Sequence, residues 1–355
     1  MTKLRTFIGV VALAAALPAW AQQEWTFAVA GDSRNCGDIV MPEIAQGSIE
    51  HHALFYWHLG DFRATYTFDQ DYLATHPNPA ITGYLFYGGW QDFIDRQLAP
   101  FRHVRVFLGI GNHELIPPRT REEFVAQFAD WLDAPPIRAQ RLADDPHDHM
   151  VRTWYHWTTR GVDFINLDNG STEQFDKPQM DWLMKLLERD AKNPEVRAIV
   201  VGMHEALPGS IAFAHSMDDA PAAKASGAQV YERLVKLRSE ERKPVYLLAS
   251  HSHFYMANVF NTAANRARGA VLPAWIIGTA GAERYPLPKD TEGASAAETN
   301  VYGYATATVR LENAADPVRI EFHRIEEKDV PPAVVQTYGE AVVHGCFAGN
   351  SRAPR

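Results

Sequence analysis

Behind an apolar N-terminal stretch, the chain alternates between short runs of β-branched and aromatic residues and longer segments with helical spacing. "EWTFAVAGD" is the first run; it alternates like a strand and breaks at Gly31-Asp32. "HALFYWHLGD" ends at Asp61, and "HVRVFLGIGNHE" passes through Asn112. "YHWTTRGVDFINLDN" reads as a hairpin closing at Asn169. "VRAIVVGMHE" reaches His204, "KPVYLLASHSHF" reaches His251 and His253, and "PAWIIGTAG" and "YGYATATVRLE" are later strands. The segments "SIEHHALF", "GGWQDFIDRQLAPF", "KPQMDWLMKLLERDA" and "AQVYERLVKLRSEE" read as helices. In the third, Met180, Leu183, Met184 and Leu187 recur at helical spacing and Pro178 sits near the start. The order β-α-β-α-β with an added hairpin predicts α/β layers.

Two stretches interrupt that order. Residues 62–100 are rich in Tyr, Phe and Trp. Residues 134–150 carry "APPIRAQRLADDPHDHM", whose "DDPHDH" reads as a solvated loop. The tail after Glu326 bears prolines and fits no element. His51, His52, His58, His103 and His156 read as structural or surface residues.

Composition changes this picture little. A chain of 355 residues, 46% hydrophobic and 22% charged, has ordinary globular composition and apolar mass for one large core. The N-terminus changes it more. "MTKLR" is a basic start, "FIGVVALAAALPAW" an apolar core, and Ala19-Trp20-Ala21 a small-x-small cleavage site. A signal peptide over residues 1–21 is expected, with a periplasmic or secreted product. That leaves a domain over 22–325 and a tail over 326–355. No later stretch is long and apolar enough to span a bilayer. In an exported chain the two cysteines, Cys36 and Cys346, are expected to form one disulfide. The net charge of −9 argues against nonspecific nucleic-acid binding. An anionic substrate must then be drawn by local positive charge or by metal.

The chemistry-bearing residues share one position. Asp32, Asp61, Asn112, His113, His204, His251 and His253 all fall at the C-terminal ends of predicted strands, where sites of open α/β sheets gather. Carboxylates, an amide oxygen and imidazoles are ligands for divalent Zn, Mn or Fe. An aspartate between two such ions can bridge them and help clamp a phosphoryl transfer.

This set resembles the calcineurin-like metallophosphoesterases, the superfamily that includes the purple acid phosphatases. The family's motifs run Gly-Asp-x-His, Gly-Asp-x-x-Asp (or Tyr), Gly-Asn-His-Glu, a His after a strand, then Gly-His-x-His. Here they stand as "GDSR", "GDFRA", "GNHE", "GMHE" and "SHSH", in that order, over roughly residues 25–325. The resemblance implies an α/β/β/α sandwich of two mixed sheets flanked by helices. It implies hydrolysis of a small phosphate mono- or diester by metal-activated water. Asp32 and His253 then resemble ligands of a first metal, Asp61 the bridging ligand, and Asn112, His204 and His251 ligands of a second. His113 resembles the residue that contacts the scissile phosphate or protonates the leaving oxygen.

Arg34 stands where the family's first motif has His, and Ala64 where the second ends in Asp or Tyr. Neither ligates a cation. One tight site of Asp61, Asn112, His204 and His251 is therefore expected. The site of Asp32, Asp61 and His253 is expected to be weak or absent. Mn, Fe and Zn all suit these ligands. Arg34 and Arg63 each lie two residues after a strand-end aspartate and are candidate phosphate-binding residues. Structural ion pairs are the alternative for both.

Two further readings stay open. Gly31-Asp32-Ser33 could open a serine esterase, with Ser33 as nucleophile and Asp144-x-x-His147 completing a triad. That reading leaves "HSH", "GMHE" and the second "GD" without a role. The other is a non-catalytic binding protein with a degraded metal site.

Overall fold

The computed structural model describes residues 24–170, 175–212, 215–312 and 316–352. The expected leader lies outside them. In chain order the strands are β1 (Trp25–Ala30), β2 (Ala53–His58), β3 (Arg105–Leu108), β4 (Tyr155–Thr159), β5 (Val162–Asn166) and β6 (Ala198–Gly202). They continue with β7 (Val245–Ala249), β8 (Tyr255–Ala257), β9 (Ala274–Ile277), β10 (Ala296–Glu298), β11 (Tyr302–Val309) and β12 (Val318–Ile325). Among the described residues they form a five-stranded sheet, ordered β12-β11-β1-β2-β3, and a seven-stranded sheet, ordered β10-β8-β9-β7-β6-β5-β4. Both are mixed. The runs β1-β2-β3 and β5-β6-β7-β9 are parallel, and the remaining pairings are antiparallel.

Period-two alternation explains why two sheets stack. Along β6, Ile199 and Val201 face one apolar cluster while Val200 faces the other. The first face is covered by the helices Lys177–Lys192 and Pro221–Ser239, whose Leu183, Leu187, Val230 and Leu234 join that cluster. The second face meets the five-stranded sheet across an aromatic seam. Phe27 and Phe164 lie 5.1 Å apart, and Phe107 and Trp157 3.9 Å. The helix Gly37–Glu50 packs on the far side of the smaller sheet through Ile39, Val40 and Ile44. The result is the expected four-layer α/β/β/α sandwich. No helix among the described residues is long and apolar enough to cross a membrane.

The β4–β5 hairpin turns on Arg160 and Gly161, whose φ values of 48° and 83° match the right-handed strand twist. One expectation needs correction here, and two unassigned stretches prove helical. The first helix runs over Gly37–Glu50, and His51 and His52 already belong to the turn into β2. Within residues 134–150 the stretch after Asp144 is the exposed, non-helical segment expected, and the residues before it form a helix, Pro135–Asp144, with proline at its start. Asp144 caps the buried His156 from outside at 2.5 Å while Asp163 holds it from inside at 2.8 Å. The tail is also ordered, as the helices Pro332–Tyr338 and Glu340–Gly349.

Cys36 and Cys346 form a disulfide across 310 residues, and no described cysteine is free. The tail is held further by Arg284, which donates to the Phe347 and Asn350 carbonyls at 2.7 and 2.9 Å. Closing so long a loop stabilises the chain by about 5–6 kcal/mol in the entropy model, less any native-state strain. The joint substitutions Cys36→Ser and Cys346→Ser should lower the unfolding free energy by about that amount in denaturant titrations. Thiol titration of the unreduced, unfolded protein should find no free thiol.

Candidate metal centre

The strand-end residues converge. Asp32 follows β1, Asp61 follows β2, and Asn112 and His113 sit on the short helical turn Asn112–Leu115 after β3. His204 follows β6, and His251 and His253 follow β7. Asp32, Asp61 and His251 have left-handed backbones, with φ of 62°, 62° and 63°. Non-glycine residues pay for this geometry, and it persists where the surroundings over-determine it. Here parallel strands end side by side and each chain must turn sharply. At Gly60, φ is 99°, and any Cβ on Gly111 would collide with Asp61 Oδ1. Glycine at 60 permits the turn, and glycine at 111 leaves the carboxylate its space.

Two donor triads result, Asp61–His204–His251 and Asp32–Asp61–His253, with ligand atoms within 4.8 Å of one another in each. Asp61 belongs to both. Around the first triad, His204 Nε2 lies 3.3 Å from Asp61 Oδ1, 3.1 Å from His251 Nδ1 and 3.0 Å from Asn112 Oδ1. Donors about 2.1 Å from a common cation have separations of this size. His204 gives its Nδ1 proton to the Leu59 carbonyl, 3.0 Å away, so its Nε2 lone pair faces the centre. Asp32 Oδ1 and Asp61 Oδ2 are buried without a hydrogen-bond partner. Burial opposes charge on both carboxyls, but His253 beside Asp32, and His113 and His204 beside Asp61, hold them below the usual range. Burial, with His204 next to one and Arg34 next to the other, keeps His251 and His253 neutral. Burial opposes charge on His204 too, but Asp61, Asp32 and Glu205 raise it, so a cation binding there would displace a proton. Ionised carboxylates, with His251 and His253 neutral, fit a divalent cation.

The second triad differs. His253 gives its Nδ1 proton to the Glu283 carbonyl at 2.6 Å. Its Nε2 lone pair then accepts from Arg34 Nη2 at 3.3 Å. Arg34 Nε faces Asp61 Oδ2 at 3.8 Å, and the side chain is 6% exposed. Burial works against this charge, yet Asp61, Tyr285, Tyr66 and Asp32 keep the guanidinium protonated. A fixed cation thus stands against the donors of the second triad.

No protein-family model and no curated protein matches the sequence. Solved structures do match. Purple acid phosphatase PPD1 from yellow lupin (Lupinus luteus) seeds aligns with a TM-score of 0.54 and 16% identity, over 85% of this chain and 52% of that one. PhoD aligns with 0.54 and 14%, over 91% and 77%. A dimetal phosphatase from Danio rerio aligns with 0.51 and 12%, over 84% and 96%. The fold is that of the calcineurin-like metallophosphoesterases. The chain spans about half the length of the lupin phosphatase.

Within this metallophosphoesterase fold, Asp32, Asp61, Asn112, His204, His251 and His253 lie together, with Arg34 and His113 beside them. His113 gives its Nδ1 proton to the Ala64 carbonyl at 2.6 Å, and its Nε2 lies 3.7 Å from Asp61 Oδ2. Burial lowers His113 to about 4. Arg63 is not brought to the site, which corrects the expectation that it binds substrate. Its side chain is 1% exposed and ion-paired with Asp38 at 2.5 Å, Asp71 at 2.9 Å, Asp69 at 3.8 Å, and Asp92. Its Nη donors are taken by these carboxylates, and its Nε is buried without a hydrogen-bond partner, so no donor reaches the solvent side.

Ser33 is fully buried. His58 accepts from the Gly60 N–H at Nδ1, so its Nε2 carries the proton and donates to Ser33 Oγ at 2.9 Å. A donor cannot act as the base that a nucleophilic serine needs. Burial lowers His58 to about 3, in keeping with a neutral packed ring.

Two supporting residues escaped the sequence reading, although both close the quoted runs "GNHE" and "INLDN". Glu114 accepts the backbone N–H groups of Asp61, Phe62 and Gly111 at 2.8–2.9 Å. Asn169 Oδ1 accepts those of His204 and Glu205 at 3.0 and 3.1 Å. Tyr66, Tyr285 and His215 also ring the site, but nothing in their sequence surroundings marks them. Arg63→Met should destabilise the fold by about 3–5 kcal/mol in urea unfolding, because it leaves buried carboxylates without their counter-charge. Metal bound per folded molecule should not change, whereas a substrate-binding Arg63 would leave stability intact.

Proposed function

We propose that the protein is a metal-dependent phosphoesterase that hydrolyses a small phosphate mono- or diester with water. The observation that carries this reading is the set Asp61, Asn112, His204 and His251, the first and third buried and the other two half-buried, whose donors converge at 3.0–3.3 Å at the strand ends. These residues would hold one ion tightly, with Mn, Fe or Zn as chemically suitable occupants. Asp32 and His253 are the remaining candidate ligands, and Arg34 replaces the rest of a second set. The solved phosphatases of the same fold support the reaction class. When bound, the ion supplies Lewis acidity and lowers the pKa of water.

The chain's own groups do the rest. Two ionised aspartates against one guanidinium leave the centre net negative, which repels phosphate; one divalent ion reverses that sign. Arg34 then faces the phosphate oxygens as a charge that never dissociates. His113, its tautomer fixed by Ala64, presents Nε2 to hydrogen-bond the scissile phosphate or the leaving oxygen. Asp61 keeps Oδ1 toward His204 and Oδ2 toward Arg34 and His113, so it couples the ion to both groups. The signal-like leader and the disulfide support a periplasmic or secreted location.

Asp61→Asn and His251→Ala should each remove bound metal and lower turnover of an aryl phosphate by more than about a hundredfold. Ser33→Ala should keep both; a dead Ser33→Ala beside an active Asp61→Asn would establish the esterase reading instead. Metal analysis should find nearer one ion than two per chain. Arg34→His should raise that number, and two equally tight ions in the unaltered protein would refute the single-ion centre. Metal binding without phosphate release from any ester would favour a binding protein.

A further inference from the structure

Tyr66 is the large apolar side chain at the site that the fold leaves outside. It is 61% exposed, although its hydroxyl accepts from Arg34 Nη1 at 3.5 Å and its ring lies 5.2 Å from the His113 ring. A single exposed aromatic is ordinary on a protein surface and needs no purpose. The backbone beneath this one is not ordinary. Thr65 has a φ of 68°, a left-handed geometry that a β-branched residue rarely adopts. It is held there by its hydroxyl, which bridges the Arg63 and His113 carbonyls at 3.1 and 3.0 Å. The Tyr66 N–H donates to the Ala64 carbonyl at 2.8 Å, and the Ala64 N–H donates to Asp69 at 3.0 Å. Arg63, in its cage of four aspartates, anchors the start of this loop. A strained, fully tethered turn holds up a ring that buries little apolar surface. Burial of that ring therefore does not explain the turn.

The neighbouring aromatic gives a contrast. Tyr285 also meets Arg34, at 3.3 Å, but its faces are taken. His253 stacks on it at 3.9 Å, and the Arg352 guanidinium lies 4.0 Å from its ring centre. Tyr66 instead turns one side toward Arg34 and His113 and keeps the rest of its ring in solvent. Those two residues are the ones that would face phosphate oxygens. A group esterified to that phosphate lies within one ring's reach of Tyr66.

We propose that Tyr66 is a specificity-determining residue on whose open face the organic group of the substrate stacks, so that the preferred esters carry a planar ring, aryl or nucleoside. The proposal rests on the phosphoesterase reading above for the placement of phosphate at Arg34 and His113. Stacking of a planar ring on a fixed aromatic is indifferent to ring identity and strengthens binding by roughly tenfold or more.

The test separates the two readings by measuring binding as well as turnover. Calorimetry on the metal-loaded protein compares phenylphosphonate with methylphosphonate, two probes that share an anionic head and are not hydrolysed. The unaltered protein should bind phenylphosphonate roughly tenfold more tightly. Tyr66→Ala should bring that ratio close to one, and Tyr66→Phe, which keeps the ring and loses the hydroxyl, should preserve it. An unaltered ratio in Tyr66→Ala overturns the proposal. So does equal weakening of both probes, which would make Tyr66 a support for Arg34, and so does failure of both probes to bind. A planar preference without turnover of any ester leaves Tyr66 in place and removes the enzyme. Turnover without planar preference does the reverse.

Discussion

The open end of this molecule depends on one buried carboxylate that is not a candidate ligand. Glu114 accepts three backbone N–H groups, from Asp61, Phe62 and Gly111, and is fully buried. Those groups come from two strand ends that would otherwise splay once their ladder stops. Burial and the nearby Asp61 push Glu114 up to about 7, while the three N–H groups pull the other way. The balance is tight because the job is demanding: the left-handed turn at Asp61 leaves amides pointing inward, where no water replaces a lost partner. From Asp61 the order spreads. Its Oδ1 accepts the His113 N–H at 3.0 Å, and the His113 carbonyl accepts from Thr65. One acid therefore fixes a shared candidate ligand, a candidate catalytic histidine and the loop that carries Tyr66.

Two arginines at the same offset from a strand-end aspartate have opposite fates. Arg63 meets Asp38, Asp69, Asp71 and Asp92; Arg34 meets the two aspartates of the centre. Four carboxylates around one guanidinium cannot all ionise cheaply, and burial with Asp38 nearby pushes Asp71 well above the carboxylate range. Burial also raises Asp92, to about 6, against the pull of Arg63. Asp69, Asp71 and Asp92 all belong to the aromatic-rich insertion at 62–100. Much of that insertion is thus the counter-charge and packing for Arg63, and its contribution to the site is the short stretch through Tyr66. Arg34 has fewer negative partners, so its charge can act on something that enters from outside.

How much of this was legible follows from how local each signal is. Strands and layers were legible because β6 and β7 are buried on both faces and are continuous apolar runs. The strand-end residues were found because each sits within a short motif, and the fold then places those motifs together. Arg63 was misjudged because its partners are 6 to 29 residues away and no motif joins them. Glu114 and Asn169 were passed over because they act on backbone amides, which have no sequence identity. The helix Pro135–Asp144 carried a signal, two prolines where a helix starts, that was left without an assignment, whereas the charged "DDPHDH" was read as the loop it is. Arg34 was half legible: its charge excludes metal ligation, while its contact with the His253 lone pair needs coordinates.

The order of strands in the smaller sheet has a temporal side. β1, which ends at the first candidate ligand, is flanked by β2 on one edge and by β11 on the other, with Trp25 paired to Val309. Half of its hydrogen-bonding edge therefore has no partner until nearly the whole chain exists. Pairings of such sequence separation slow folding far more than they weaken the folded state, because the connecting loop must close before any contact rewards it. The other edge is available early, through parallel pairing to β2. Asp32 is thus made among the first residues, yet its loop is completed only after the last strands and the tail arrive.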